Sequence, residues 1–204
     1  MLNINNYNLG YYMVPPTTAG GICIDIGANV GSFIQKYHDH FSTIYFYEPI
    51  ELCYNKCMEF AKKYSHIRGH NLAVWSESNI EVNILQHENN DSGSSAIESN
   101  ILNEEWADKN IIQKVQTISL TDILDSINKE IDYCKSDCET SEYFIFMNTD
   151  LSKIKYIGME MHWQMGKLKQ EELMGYMNRT HKVIVGENRY TPYNREVLLE
   201  RITL

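Results

Sequence analysis

The pattern of apolar and polar positions divides the chain into alternating strands and helices. Ile22–Cys23–Ile24 and Ile26 form a near-continuous apolar run, as expected of a strand buried on both faces of a parallel sheet. Phe33, Ile34, Tyr37 and Phe41 follow at helical spacing and predict a first helix to about residue 40. Thr43–Tyr47 is rich in β-formers, residues 51–64 carry a helical stripe through Cys53, Cys57, Phe60, Ala61 and Tyr64, and Ile67–Trp75 holds a third strand. Ile80–Leu85 alternates apolar and polar residues, which predicts a half-exposed strand. Asn89–Ser95 is a run of turn formers within a loop region at 86–110 that we expect to face substrate.

Later elements continue the alternation. Val115–Leu120 reads as a short strand. A helix beginning at Thr121–Asp122 buries Ile123, Leu124 and Ile127. Ile131–Cys138 reads as the fourth main strand, Tyr143–Met147 as a short helix and Ile154–His162 as the fifth strand. Lys169–Arg179 is helical, and Lys182–Val185 with Glu196–Glu200 form a closing hairpin. This is an α/β pattern in one domain spanning residues 1–204, with residues 1–20 as a polar, Tyr-rich lead-in that ends at Pro15–Pro16.

Chemistry collects at the predicted strand ends. Asp25 closes the first strand, and Gly27 and Gly31 permit a tight turn into a helix whose first N–H groups attract anionic groups. Glu48 closes the second strand 23 residues later (48 − 25), near the spacing at which dinucleotide-type folds place a ribose-binding acid. Asp137, Glu139, Glu160 and His162 close the fourth and fifth strands. In such sheets ligands bind beyond the carboxyl ends of the strands, so these residues converge on one site. Lys135 shares a strand face with Asp137, which reads as a functional acid, simple neutralisation by Lys135 being the alternative.

Composition narrows the function. A net charge of −9 without a local Lys/Arg cluster argues against a nucleic-acid partner. No window approaches the ~20 apolar residues of a membrane span, and the first residues have neither a basic start nor an apolar stretch. A soluble, cytoplasmic protein is expected. The five cysteines lack zinc-site spacing, and Cys53 and Cys57 sit in a core stripe, so no metal centre or disulfide is assigned to them.

Asp25–Ile26–Gly27–Ala28–Asn29–Val30–Gly31–Ser32–Phe33 followed by Glu48–Pro49 resembles the opening of class I S-adenosylmethionine-dependent methyltransferases, and more narrowly the FkbM-type family. Asn71–Leu72–Ala73, Thr117–Leu120, Asp132–Glu139 and Glu160–His162 agree in order, so the likeness covers about residues 20–185. The resemblance implies a Rossmann-like fold: a seven-stranded, mostly parallel sheet with an antiparallel last strand and helices on both faces. It implies binding of S-adenosyl-L-methionine, with Asp25 and Gly27 beside the methionine portion, Asn29 and Gly31 also among the cofactor-binding residues, Glu48 on the ribose hydroxyls, and Asn71, Leu72 and Ala73 near the adenine. It further implies O-methylation of a sugar, glycan or natural-product hydroxyl.

Such a hydroxyl needs a base or a cation. His162 is the candidate base, and Asp137, Glu139 and Glu160 offer oxygen ligands suited to Mg²⁺ if a metal activates the hydroxyl. One position departs from the family, which usually has glycine where Thr140 stands. Two accounts of Thr140 are open: a positive-φ position held by a β-branched residue, or a cap on the helix that follows. A non-catalytic cofactor-binding or interaction protein of the same fold is the main alternative function. A nicotinamide-dependent oxidoreductase is disfavoured, because the glycines are spaced Gly-x-x-x-Gly rather than G-x-G-x-x-G.

Overall fold

The computed structural model describes residues 13–87, 95–97, 110–186 and 195–202. Seven strands form the main sheet: β1 (Ile22–Ile26), β2 (Thr43–Tyr47), β3 (Ile67–His70), β8 (Ile131–Ser136), β9 (Ile154–Met161), β10 (His181–Val185) and β11 (Arg195–Arg201). Their order is β10-β11-β9-β8-β1-β2-β3. β1 runs parallel to β2 and β8, β8 parallel to β9, and β11 antiparallel to both β9 and β10. The sheet is therefore mostly parallel with an antiparallel last strand, as expected.

Helices cover both faces, and the alternation of side chains explains which residue meets which layer. Cys23, Ile44 and Phe46 pack with Phe33 and Ile34 of α1 (Ser32–Tyr37) and Cys57 and Ala61 of α2 (Glu51–Ala61). Ile24, Ile26 and Tyr47 pack on the opposite face, in a core with Ile123 and Leu124 of α3 (Leu120–Ile127), Ile145 and Phe146 of α4 (Glu142–Phe146), and Leu173 and Met177 of α5 (Lys167–Met177). The Ser119 hydroxyl caps α3 by accepting the Asp122 N–H at 3.1 Å, and Asn128 closes that helix in the left-handed region.

The strand expected over Ile67–Trp75 is two strands. β3 ends at His70, and β4 (Ala73–Trp75) leaves the main sheet to pair in parallel with β7 (Asn110–Ser119). The break falls at Asn71, whose side-chain amide donates to the carbonyls of Glu48 and Pro49 at 2.8 and 2.9 Å and so turns the chain across the end of β2. β7 also pairs antiparallel with β5 (Glu81–His87), which pairs with β6 (Ser95–Ile97), giving a second sheet in the order β4-β7-β5-β6. Of the loop region at 86–110, residues 88–94 and 98–109 lie outside the described residues, as does the lead-in before residue 13. Residues 13–20 contain a 3₁₀ turn at Pro16–Thr18. No helix among the described residues is long and apolar enough to cross a membrane.

Close packing of β8 against β9 depends on a glycine. A Cβ at Gly158 would stand 2.0 Å from the Tyr133 hydroxyl and 2.8 Å from its ring. Tyr133 is fully buried, and that hydroxyl has no hydrogen-bond partner among the described residues. Gly158→Ala is expected to lower stability by about 1–3 kcal/mol through overpacking. Tyr133→Phe, which removes an unsatisfied buried hydroxyl, is expected to be neutral or stabilising and to recover part of that loss in the double variant. Urea unfolding of the four proteins measures the cycle.

Candidate functional site

Three positive-φ residues shape the turn after β1: Gly27 (73°), Asn29 (52°) and Gly31 (84°). Gly27 is required twice over, since a Cβ there would also lie 2.0 Å from the Asp137 carbonyl oxygen at the end of β8. Asn29 tolerates the left-handed region, and its N–H donates to Glu48 Oε2 at 2.7 Å. Glu48 Oε1 accepts from the Ile50 N–H at 2.9 Å. The carboxylate thus ties the β1 turn to the exit of β2. Burial pushes its carboxyl up to about 7, against the opposing pull of those two hydrogen bonds and of Lys135.

Asp25 is fully buried, and its Oδ1 lies 3.0 Å from Lys135 Nζ, directly across the β1–β8 register. Lys135 also donates to the Gly27 carbonyl at 2.6 Å. Burial raises the Asp25 carboxyl while Lys135 pulls it down. For Lys135, burial would lower the ammonium, but Asp25 and Asp137 outweigh it and hold it charged. A neutral Asp25 would strip a buried ammonium of its nearest counter-charge, so we assign an ionised pair. Lys135 thus forms its close ion pair with Asp25 and also has a favourable charge interaction with Asp137, the acid on its own strand face.

On the other side of β1, the ends of β8 and β9 bring Asp137, Glu139, Glu160 and His162 together. His162 Nε2 faces Glu139 Oε2 at 3.3 Å, Asp137 Oδ1 at 3.8 Å and Glu160 Oε1 at 3.9 Å. The imidazole is 2% exposed, whereas the three carboxylate side chains are 28–29% exposed, so the acids line the mouth and the ring lies behind them. Burial alone would lower the imidazole, but Glu142, then Glu139 and Glu160, outweigh it and raise it to about 9. The surrounding carboxylates thus favour the protonated ring over the neutral one. Burial, partly offset by His162 and reinforced by the neighbouring acids, lifts the Glu139 carboxyl to about 7.

Two acids escaped the sequence reading. Glu142, fully buried on α4, stands 3.5 Å from His162 Nδ1 and accepts the Cys138 N–H at 2.8 Å. Its signal was a lone acid opening the otherwise apolar run Tyr143–Phe146. Glu196 of β11 stands opposite Glu160 in register, a like-charge pair. Of the residues expected near adenine, Ala73 is buried in β4, Leu72 packs against the core, and the Asn71 amide anchors the end of β2.

Thr140 lies at φ 81° beside Glu139 at 46°. The cap account does not hold. Ser141 occupies the N-cap of α4, and the buried Thr140 hydroxyl has no hydrogen-bond partner among the described residues. Left-handed strain and an unsatisfied hydroxyl together make Thr140→Gly an expected gain of about 1–2 kcal/mol, after the extra chain entropy of glycine is subtracted. A higher urea midpoint with unchanged slope is the measurement.

The model of the methyltransferase FkbM domain matches residues 25–189. No curated protein matches the sequence significantly. Among solved structures, methyltransferase FkbM from Methylobacillus flagellatus is 14% identical with a TM-score of 0.53, over 91% of this chain and 48% of that one. The present chain thus spans about half of that protein. The Methanococcus jannaschii fibrillarin pre-rRNA processing protein is 9% identical at a TM-score of 0.54, over 93% and 70% of the two chains. SMU.1697c of Streptococcus mutans, a methyltransferase-like protein solved in complex with SAH, is 7% identical at a TM-score of 0.50, over 90% of each chain. Structural likeness at these identities establishes the fold, and the sequence match over most of the chain establishes more: this protein belongs to the FkbM methyltransferase family.

Proposed function

We propose that this chain binds S-adenosyl-L-methionine and transfers its methyl group to a hydroxyl of a sugar, glycan or related small molecule. One observation carries the reading. The glycine turn with Glu48 and the carboxylate-rich ends of β8 and β9 flank β1 from its two sides, where the strand order reverses. Cofactor and acceptor therefore each have a half-site, meeting over the end of β1. The SAH complex of the Streptococcus mutans protein supports the cofactor assignment.

The cofactor half is built on Glu48. Each of its oxygens already accepts one backbone N–H and keeps a further lone pair, so ribose hydroxyls can donate to a carboxylate that does not have to move. The turn through Gly27 lets the backbone approach the methionine portion without a Cβ in the way. Methyl transfer from a sulfonium is an in-line displacement, so most of what the protein supplies is position. On the acceptor side the half-exposed carboxylates of Asp137, Glu139 and Glu160 meet an incoming hydroxyl first, and buried His162 orients them from behind. A polar acceptor rich in hydroxyl donors suits that surface, and a net charge of −9 disfavours a nucleic acid in its place.

Calorimetry with S-adenosylhomocysteine tests the reading. We expect saturable binding to the wild type, no binding of NAD, and a loss of about 10–100-fold for Glu48→Ala, the equivalent of one charge-assisted hydrogen bond. Unchanged affinity in that variant would remove Glu48 from the ribose. The charge state adds a pH signature. Glu48 is raised to about 7 from an ordinary 4.5, with Lys135 opposing the rise and Asp25 adding to it. The protonated form therefore favours folding, and that contribution is lost as pH rises from about 4.5 through 7. Hydroxyl donors prefer the ionised form, so affinity is expected to increase between pH 6 and 8 in the wild type and to stay flat in Glu48→Gln.

A further inference from the structure

We propose that Asp137, Glu160 and His162 bind a divalent cation of the Mn²⁺ type at the ends of β8 and β9. One ligand atom from each residue lies within 4.8 Å of the other two. The separations from His162 Nε2 to Asp137 Oδ1 and Glu160 Oε1, 3.8 and 3.9 Å, are too long for hydrogen bonds. They fall between the spacings of neighbouring and opposite ligands around one ion with bonds of about 2.2 Å, roughly 3.1 and 4.4 Å. Two carboxylates and an imidazole suit a first-row divalent ion, and three protein ligands leave positions for water or a substrate oxygen. The set differs from the oxygen-only trio expected for Mg²⁺, since His162 takes the place of Glu139.

A second observation separates this group from an ordinary acidic cluster. His162 is buried, its Nδ1 makes no hydrogen bond among the described residues, and Glu142 stands 3.5 Å from that nitrogen. Glu142 is itself fully buried, held by the Cys138 N–H, and its Oε2 has no partner. A buried carboxylate 3.5 Å from one ring nitrogen, with the other nitrogen facing two further carboxylates, places an acceptor where the outer shell of a metal-bound histidine needs one. Glu196 opposite Glu160 and Glu139 beside His162 add negative charge that a cation would relieve. The role of the ion, holding the acceptor hydroxyl beside the methyl group, rests on the methyl-transfer reading; its binding does not.

Mn²⁺ titration followed by electron paramagnetic resonance, with S-adenosylhomocysteine binding measured in parallel, tests the proposal. We expect one Mn²⁺ per chain and ¹⁴N modulation of the bound signal from the imidazole. Asp137→Asn and Glu160→Gln should each weaken binding at least about tenfold, and Glu142→Gln about 10–100-fold through the ring it orients. Circular-dichroism melts show which variants are folded, and any one folded variant suffices. Glu171→Gln, on the exposed face of α5, should leave Mn²⁺ uptake unchanged. Non-saturable uptake, absence of ¹⁴N modulation, or equal losses in Glu171→Gln and the site variants would overturn the site. Saturable Mn²⁺ binding by a protein that fails to bind S-adenosylhomocysteine would leave the site standing and overturn the methyl-transfer reading instead.

Discussion

The Lys135 ammonium lies where β8 meets β1, 3.0 Å from the Asp25 carboxylate and 2.6 Å from the Gly27 carbonyl, inside the sheet and away from water. Taking two charges out of water costs several kcal/mol per ion, and their attraction repays this only when the geometry is close and the remaining polar atoms are met. That requirement constrains the neighbourhood. Asp25 and Lys135 must stay in register across β1 and β8, and Gly27 must present its carbonyl to the ammonium. The close approach of the Asp137 carbonyl to Gly27 then excludes any side chain there. The turn that follows β1 and the end of β8 are therefore one mechanical unit, and both half-sites hang from it.

Charge is distributed unevenly about that unit. In the cofactor half the buried Glu48 is satisfied by two backbone N–H groups and the buried Asp25 is paired with Lys135. The other half gathers Asp137, Glu139, Glu142 and Glu160 around a single imidazole, with Glu196 on the neighbouring strand. Lys135 offsets part of this excess through Asp137, while its close ion pair is with Asp25. Residual negative charge at a partly open mouth is a binding property: it favours cations and hydroxyl donors and repels phosphates.

Much of this was legible in the sequence because strand ends are marked by abrupt polarity. Ile22–Ile26 ends in an acid-and-glycine turn, Thr43–Tyr47 in Glu48–Pro49, and both elements and their chemistry were read from that contrast. The break between His70 and Ala73 was not legible, since it depends on an Asn71 amide reaching the carbonyls of a strand that precedes it by more than twenty residues. The close pairing of Lys135 with Asp25 was not legible for a related reason. Alternation along one strand identifies residues on the same face, whereas the ion pair forms across strands, and register is set by the whole sheet.

His162 shows how far local identity falls short of local chemistry. An imidazole at a strand end reads as a base because its ordinary titration lies near neutrality. What it does depends on the carboxylates around it, and one of the decisive ones, Glu142, comes from a helix that the strand pattern does not reach. That helix is placed by the turn at Glu139–Thr140, where two consecutive non-glycine residues hold positive φ. Glycine would make the same turn at lower cost, so the strain at Thr140 is the local cost of this chain's departure from its family. The same turn sets Glu142 behind one edge of the imidazole and Glu139 before the other, so the backbone at Thr140 and the charge on His162 are linked. Whichever cation occupies the mouth, a proton or a metal ion, it is this turn that determines which carboxylates it meets.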